Sequence, residues 1–263
     1  MIDYRILHDP AELEKVVDLE IAVWGLNPRN AVPTAILHVM ALGGGLILGA
    51  YDGETMVGIL ISLAVKRGDD VFIWSHMTGT RPDYQRQGIG LALKRFQRRW
   101  ALDNGYKSIR WTVDPLQRGN AWFNLHLLGE DAALYTDVYH VNFYGDMDDD
   151  INRGMPSDRI EAIWLLDQPS LHRASLGNPP LLLRSDERSY PVVSYADWDL
   201  PSYIASVPAD LDALRKQDRD AVLAWRLALR EVMTTAFEHG YRAIDFVRSG
   251  GLYVYQLAKR SEP

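Results

Sequence analysis

Apolar positions recur along this chain at two periods, and the switches between them mark the elements. Residues 3–7 alternate as a short strand. Asp9-Pro10-Ala11-Glu12 then supplies a helix cap, a proline suited to the first helical position and a capping-box glutamate. Leu13, Val16, Val17, Ile21 and Trp24 follow at helical spacing and predict a first helix with one buried face. Asn27-Pro28-Arg29-Asn30 breaks that helix, and residues 33–42 read as a second, shorter one. Residues 45–51 and 56–65 predict two strands around the turn-forming pair Asp52-Gly53, and a third strand runs from Val71 towards Thr80. A basic amphipathic helix over 89–104 stops at Gly105, and residues 107–113 give the next strand.

Between the third strand and that helix lies Arg81-Pro82-Asp83-Tyr84-Gln85-Arg86-Gln87-Gly88-Ile89-Gly90-Leu91-Ala92. At a helix start about four backbone N–H groups lack intrahelical partners and the macrodipole is positive, so a diphosphate is a suitable ligand. Gly88 and Gly90 let the backbone approach phosphate oxygens closely, and Arg81 and Arg86 add charge at the mouth. The dinucleotide pattern G-x-G-x-x-G fails because Leu93 stands where Gly or Ala is required, and the Walker pattern has no match. Strand, anion loop, helix and strand suggest a right-handed crossover with a ligand at the carboxyl ends of the strands.

Further on, residues 119–129 read as a helix, 138–144 and 161–166 as a closing strand pair, and 168–180 as a linker rich in Pro, Ser, Gly and Asn. Beyond the linker come Leu181-Leu182-Leu183-Arg184, a Pro-interrupted segment, one long helix over 209–239, and strands over 242–248 and 252–257. Asn104-Gly105-Tyr106 is echoed by His239-Gly240-Tyr241, read either as a decayed half-repeat that extends the sheet or, in preference, as ordinary helix-to-strand punctuation. The long helix carries enough apolar residues to bury one side, and packing within the subunit or across a homodimer is left open.

Composition narrows the partners. The 263 residues are 47% apolar and 24% charged with a net charge of -7, which is an ordinary soluble globular composition and argues against a general nucleic-acid binder. The local basic cluster Lys94 to Arg99 is read as the solvated, phosphate-facing side of its helix. There is no cysteine, which excludes disulfides, thiolate metal sites and a cysteinyl acyl-enzyme. The first residues lack a signal pattern, so a cytoplasmic location is expected. The uncharged run 31–51 is divided by Pro33, His38 and Gly43-Gly44-Gly45, so no membrane span is expected. Asp146, Asp148 and Asp150 mimic the start of an EF-hand loop, but Ile151 stands where its glycine belongs and Ser157 where its glutamate belongs. No calcium site is expected, and no His, Asp or Glu spacing suggests another metal.

The spacing Gln85-Arg86-Gln87-Gly88-Ile89-Gly90 is similar to the acyl-CoA pyrophosphate loop of the GNAT superfamily of N-acyltransferases, Q/R-x-x-G-x-G/A. The likeness extends through Trp111 to Leu116, Asn120 to Asn124 and Asn142 to Met147. These resemble a branch with an extended C-terminus related to amino-acid N-succinyltransferases. The resemblance implies an α/β (α+β) fold: a GNAT-like mixed, mostly antiparallel sheet flanked by helices, with a C-terminal α/β extension. The domains expected are an acyltransferase domain over 1–166, the linker over 167–180 and the extension over 181–263.

It implies acetyl-CoA or succinyl-CoA as co-substrate and a small-molecule amine, such as an amino acid, as acceptor, with direct transfer in a ternary complex. The cofactor-binding residues implied are Thr78, Thr80, Gln85, Arg86, Gln87, Gly88, Ile89, Gly90, Leu91 and Asn120. Where many members carry a Tyr that protonates the departing thiolate this chain has Leu125, so Tyr144 is the candidate replacement, ahead of Tyr135 and Tyr139. His76 is the candidate base, competing with a core histidine bonded to backbone. Asp114 is a candidate acceptor ligand or a turn cap, and Arg118, Arg153 or Arg159 a candidate partner for a substrate carboxylate. Two other readings stay open: a protein N-acetyltransferase, and a catalytically inactive CoA-binding regulatory module.

Overall fold

The computed structural model describes residues 1–145, 155–172 and 178–260. The acidic loop over 146–154, with Arg153 in it, lies outside the described residues, as does 173–177 of the expected linker. By packing, the chain divides into two compact units, Met1–Trp111 with Leu165–Asp167, and Thr112–Trp164 with Gln168–Pro263. That division falls elsewhere than the compositional boundary at 166, which follows a Pro- and Ser-rich stretch instead of the density of contacts.

In the first unit, β1 (Ile2–Ile6) leads to α1 (Pro10–Trp24) and α2 (Thr34–Leu42), followed by the meander β2 (Leu46–Asp52), β3 (Thr55–Arg67) and β4 (Asp70–Thr80). Asp9 caps α1 by accepting from the Ala11 amide, with Pro10 at the helix start, as its cap sequence predicts. Helix α3 (Ile89–Asp103) and strand β5 (Ser108–Val113) follow, the last two residues of β5 belonging to the second unit. Neighbours β1, β2, β3 and β4 pair antiparallel, whereas β4 and β5 pair parallel through Ile73↔Ile109 and Trp74↔Arg110. The crossover expected from the sequence is thus present.

Alternation along the strands splits the apolar side chains between two layers. Leu13, Val16 and Leu19 of α1 and Leu37 of α2 pack with Ile47, Ile59 and Ile61 on one face. Leu46, Leu48, Val57 and Leu60 pack with Ile89 and Leu93 of α3 on the other. Gly58 permits the second contact, because a Cβ there would lie 3.1 Å from Ile89 and 3.3 Å from Leu93.

The second unit begins with α4 (Arg118–Ala121), which passes directly into a π-helix, Trp122–Leu127. The helix expected over 119–129 is therefore irregular in its second half. Strands β6 (Ala133–Tyr135) and β7 (Tyr139–His140) both pair with β8 (Arg159–Leu165). The closing pair is shorter than expected: residues 141–144 leave the strand in a turn, where Asn142 takes a positive φ of 49°.

A five-stranded sheet follows, ordered β10-β9-β11-β13-β12, from β9 (Leu181–Ser185), β10 (Pro191–Val193), β11 (Ser202–Val207), β12 (Tyr241–Ser249) and β13 (Leu252–Lys259). The segment read as Pro-interrupted contains two of these strands. Proline sits at the first residue of β10 and just before β11, where no ladder N–H is lost. The long helix expected over 209–239 is two helices, α5 (Leu211–Gln217) and α6 (Arg219–Glu238). Asp218 divides them: its backbone is extended at φ -153°, and its side chain caps α6 by accepting from the Ala221 amide. Gly105 and Gly240 both close their helices at φ 81°, the geometry behind the sequence echo. Among the described residues no helix is long and apolar enough to cross a membrane.

Candidate active site

The loop from β4 to α3 is built to leave amides open. Pro82, Asp83 and Tyr84 form one turn of 3-10 helix, braced where Tyr84 donates to Asp52 at 3.0 Å. Arg86 and Gly88 both take left-handed backbone conformations, at φ 61° and 81°. For Arg86 this is strained, and the alternation turns successive N–H groups into the same concavity, an anion nest. The first loop-to-helix bond is Ala92 N to Gly88 O, and the amides of Gly88, Ile89, Gly90 and Leu91 find no acceptor among the described residues. A Cβ on Gly88 would meet nothing within 4 Å, so there is open space beside the start of the helix.

The side chains sort themselves by role. Gln85 donates to Thr80 O at 3.4 Å and Gln87 to Asp83 O at 3.1 Å, so both brace the loop. Arg81 pairs with Asp83 at 3.3 Å, leaving exposed Arg86 as the loop cation without a protein partner among the described residues. The Ile89 side chain is 3% exposed and belongs to the core, so only its backbone faces the nest.

Strand β4 supplies the adjoining surface. On one edge it pairs with β3 to its end, through Leu60↔Thr78 and Gly58↔Thr80. On its other edge the parallel pairing reaches only Trp74, so the backbone from Ser75 to Thr80 is open along that edge. A β-bulge interrupts the ladder: Ser62 faces Ser75 while Ile61 faces Met77. His76 is the extra residue. Ser75 consequently points towards α3 whereas Met77 packs with α1 and α2, while the ladder from Met77 to Thr80 runs on without a further shift. The His76 ring reaches solvent, yet crowding by the surrounding protein desolvates it and lowers its pKa below the usual imidazole value. The ring is therefore neutral near pH 7 and able to accept a proton.

Residues 21–123, which include the nest and β4, match the model of the acetyltransferase (GNAT) family. This stretch is similar to a GNAT acetyltransferase domain. Two solved structures share the fold. One is the ribosomal-protein-S18-alanine N-acetyltransferase of Escherichia coli, with a TM-score of 0.50 and 16% identity over 68% of this chain and 100% of that one. The other is a GNAT-family acetyltransferase of Streptococcus pneumoniae, with a TM-score of 0.50 and 16% identity over 63% of this chain and 99% of that one. No curated protein matches the sequence. The family matched over this stretch is one of acetyltransferases.

Within the matched stretch the basic face of α3 differs from the sequence expectation. Lys94 is 2% exposed and Gln97 0%, so this side of the helix turns inward, and only Arg95 and Arg99 of the cluster are exposed. Periodicity places Lys94 one residue from Leu93 and three from Gln97, a polar flank to an apolar stripe that reads equally well as solvated. Sequence reasoning missed Lys94 for that reason.

The remaining candidates lie in the second unit. Asp114 is 7% exposed and chelated by Arg226 at 2.5 and 2.9 Å, and it also accepts from the Leu116 amide. Its oxygens are committed to a structural pair and a turn cap, which corrects the expectation of an acceptor ligand. Asn120 is exposed, its carbonyl accepting from Asn124. Leu125, standing where a phenol was looked for, is 1% exposed and part of the core.

Tyr144 is 52% exposed in the turn after β7, with its ring edge-on to Phe143, the Arg159 guanidinium 5.2 Å from its centre, and its hydroxyl 3.5 Å from Thr112 Oγ1. Tyr139 donates to Asp158 at 2.9 Å, and desolvation, reinforced by that carboxylate, drives its pKa well above the usual phenol value. It is a poor proton donor. Tyr135 is 9% exposed beneath the Arg242 guanidinium. Arg118 bonds Ala209 O and covers Tyr253, and Arg159 is 9% exposed and donates to Asp158 O, so both serve the packing.

Proposed function

We propose that this protein transfers an acetyl or succinyl group from coenzyme A to the amine of a small molecule, with an amino acid as the preferred acceptor, by direct attack in a ternary complex. The observation that carries this reading is the nest: four amides at the start of α3 without a partner among the described residues, with Arg86 and Gly88 both left-handed and open space beside Gly88. Such a site suits the two linked phosphates of coenzyme A. The open edge of β4 offers backbone groups for the pantetheine amides and an N–H for the developing oxyanion.

In the reaction the amine nitrogen forms a bond to the thioester carbonyl carbon, the carbon–sulfur bond breaks, and one proton passes from nitrogen to sulfur. Holding both reactants in register is worth on the order of 7–11 kcal/mol, more than side-chain acid–base help supplies. His76, kept neutral by desolvation, is assigned the base, and Tyr144 the proton donor. Acetyl or succinyl as the acyl group and an amino acid as acceptor rest on the sequence resemblance.

Calorimetric titration of coenzyme A into the wild type and Gly88→Glu tests the reading. The added carboxylate against the diphosphate lowers affinity by at least about a hundredfold, on the scale where 1.4 kcal/mol is tenfold. Unchanged affinity overturns the site. Thiol release from acetyl-CoA and succinyl-CoA against a pool of amino acids then identifies donor and acceptor, and no release with any amine removes the enzymatic reading.

A further inference from the structure

Three ligand-bearing side chains in the second unit converge although they are far apart in sequence. His126 Nδ1 lies 3.0 Å and His172 Nε2 3.5 Å from the same oxygen, Asp245 Oδ1, and the three atoms all lie within 4.8 Å of one another. We propose that His126, His172 and Asp245 form a binding site for one divalent transition-metal ion of the zinc class, with a fourth position left for water.

The backbone is irregular at two of these residues. His126 sits on the π-helix, a rare form concentrated at functional sites, and Asp245 follows a register shift in β12 between Ala243 and Asp245. The π-turn and the bulge together aim the two side chains at each other. The third ligand needs room, and Gly129 supplies it: a Cβ there would lie 2.4 Å from His172 Nε2.

In this structure His172 Nε2 donates to Leu125 O at 2.9 Å, so metal binding requires this nitrogen to exchange its proton and that bond for the ion. Asp245 Oδ1 already accepts from the Phe246 amide at 2.7 Å, and two imidazole nitrogens then crowd the same oxygen. Two ligands of a tetrahedral zinc ion, with bonds near 2.0–2.1 Å, stand about 3.3–3.4 Å apart, which brackets well with the two separations to Asp245. Glu130 lies 3.9 Å from His126 Nε2, on the outward side, where a carboxylate favours the proton on that nitrogen and leaves the Nδ1 lone pair inward. The imidazoles of His126 and His172 are nearly parallel, 12° apart with centres at 5.3 Å, an approach suited to two neutral rings sharing a cation. Two nitrogens and one carboxylate oxygen are a borderline donor set that favours zinc over calcium or magnesium. Sequence spacing concealed the site, because Asp245 lies 119 residues beyond His126.

The full, untagged chain, stripped of metal by chelation, is titrated with Zn²⁺ by equilibrium dialysis and with Co²⁺ by visible absorption. The expected result is one ion per chain and intense tetrahedral cobalt bands. His172→Gln and Asp245→Asn each weaken binding at least tenfold with an unchanged far-ultraviolet spectrum, whereas His140→Gln, on a histidine paired with Glu161, binds as the wild type does. His126→Gln serves in place of either variant that fails to fold. Absence of tetrahedral bands, or equal affinity in the wild type and all the ligand variants, overturns the proposal and leaves a histidine–aspartate clamp.

Discussion

Lys94 donates from Nζ to the Ser75 hydroxyl at 3.0 Å, and the same nitrogen lies 3.7 Å from the centre of the Trp111 ring. These contacts join α3 to the strands it packs on, yet they replace the hydration of an ammonium only in part. Burial lowers the Lys94 pKa from its ordinary value to about 7. The unfolded chain keeps this proton up to about pH 10.4, so between the two values the unfolded state binds more protons and stability climbs with pH. Below the folded value both states are charged and the penalty is felt in full. Lys94→Met is expected to stabilise the protein at pH 6, on the order of 1–4 kcal/mol by analogy with other buried charges replaced by apolar groups. The gain shrinks towards pH 9.5. Urea unfolding at the two pH values checks it, and an equal gain at both would show that burial of charge is not the cause.

Asp114 and Arg226 make the opposite case, a buried charge that is answered. Their side chains are 8% and 3% exposed and meet through two hydrogen bonds. Asp114→Ala strands the guanidinium and is expected to cost about 3–5 kcal/mol. Coenzyme A affinity of the folded fraction should be unchanged. A loss of acceptor affinity without a loss of stability would return Asp114 to the substrate site. The double variant Asp114→Leu with Arg226→Met is expected to regain most of the stability.

Where local signals act alone, the sequence announced the structure. Asp9 with Pro10 and Glu12 marks the start of α1, Asp52-Gly53 marks the β2–β3 turn, and Gly105 closes α3, each through a preference that a few neighbouring residues decide. The nest was legible because its glycines sit between a strand and a helix. Elsewhere the deciding interaction was distant or ambiguous. Apolar spacing continues smoothly through Asp218, and only its extended backbone and cap bond separate α5 from α6. The bulge at His76 leaves no sequence mark and alters which face its neighbours occupy. Asp114 could not be assigned to Arg226 from the chain order, since 112 residues separate them.

Trp24 and Gly79 test how closely α1 must approach the end of β4. A Cβ on Gly79 would fall 2.4 Å from the indole. Gly79→Val therefore displaces the ring or the strand, with an expected cost of about 1–3 kcal/mol from overpacking. Because Thr78 and Thr80 flank the site, coenzyme A affinity should fall as well. Trp24→Ala in the same chain removes the clash, and denaturation midpoints should show partial recovery. Additive losses in the double variant would mean that the two residues are not in contact.

His76 and Tyr144 are separable by pH. The pKa of His76 is lowered by desolvation, so half of the imidazole is already neutral on the acid side of about pH 6.5, the ordinary histidine value. If this ring takes the proton from the amine, kcat/KM falls along an acid limb whose midpoint lies below that value. In His76→Gln, a side chain that cannot titrate, the limb disappears and the plateau drops by roughly 10²-fold or more, the usual scale of general-base help. Tyr144→Phe acts later, on thiolate departure, so it should lower kcat while preserving the limb and the affinity for coenzyme A. A pH–rate profile for the three proteins, with one acyl donor and one amine, decides the matter. A limb that survives in His76→Gln assigns the titration to another group, and wild-type kcat in Tyr144→Phe means that the thiolate takes its proton from elsewhere.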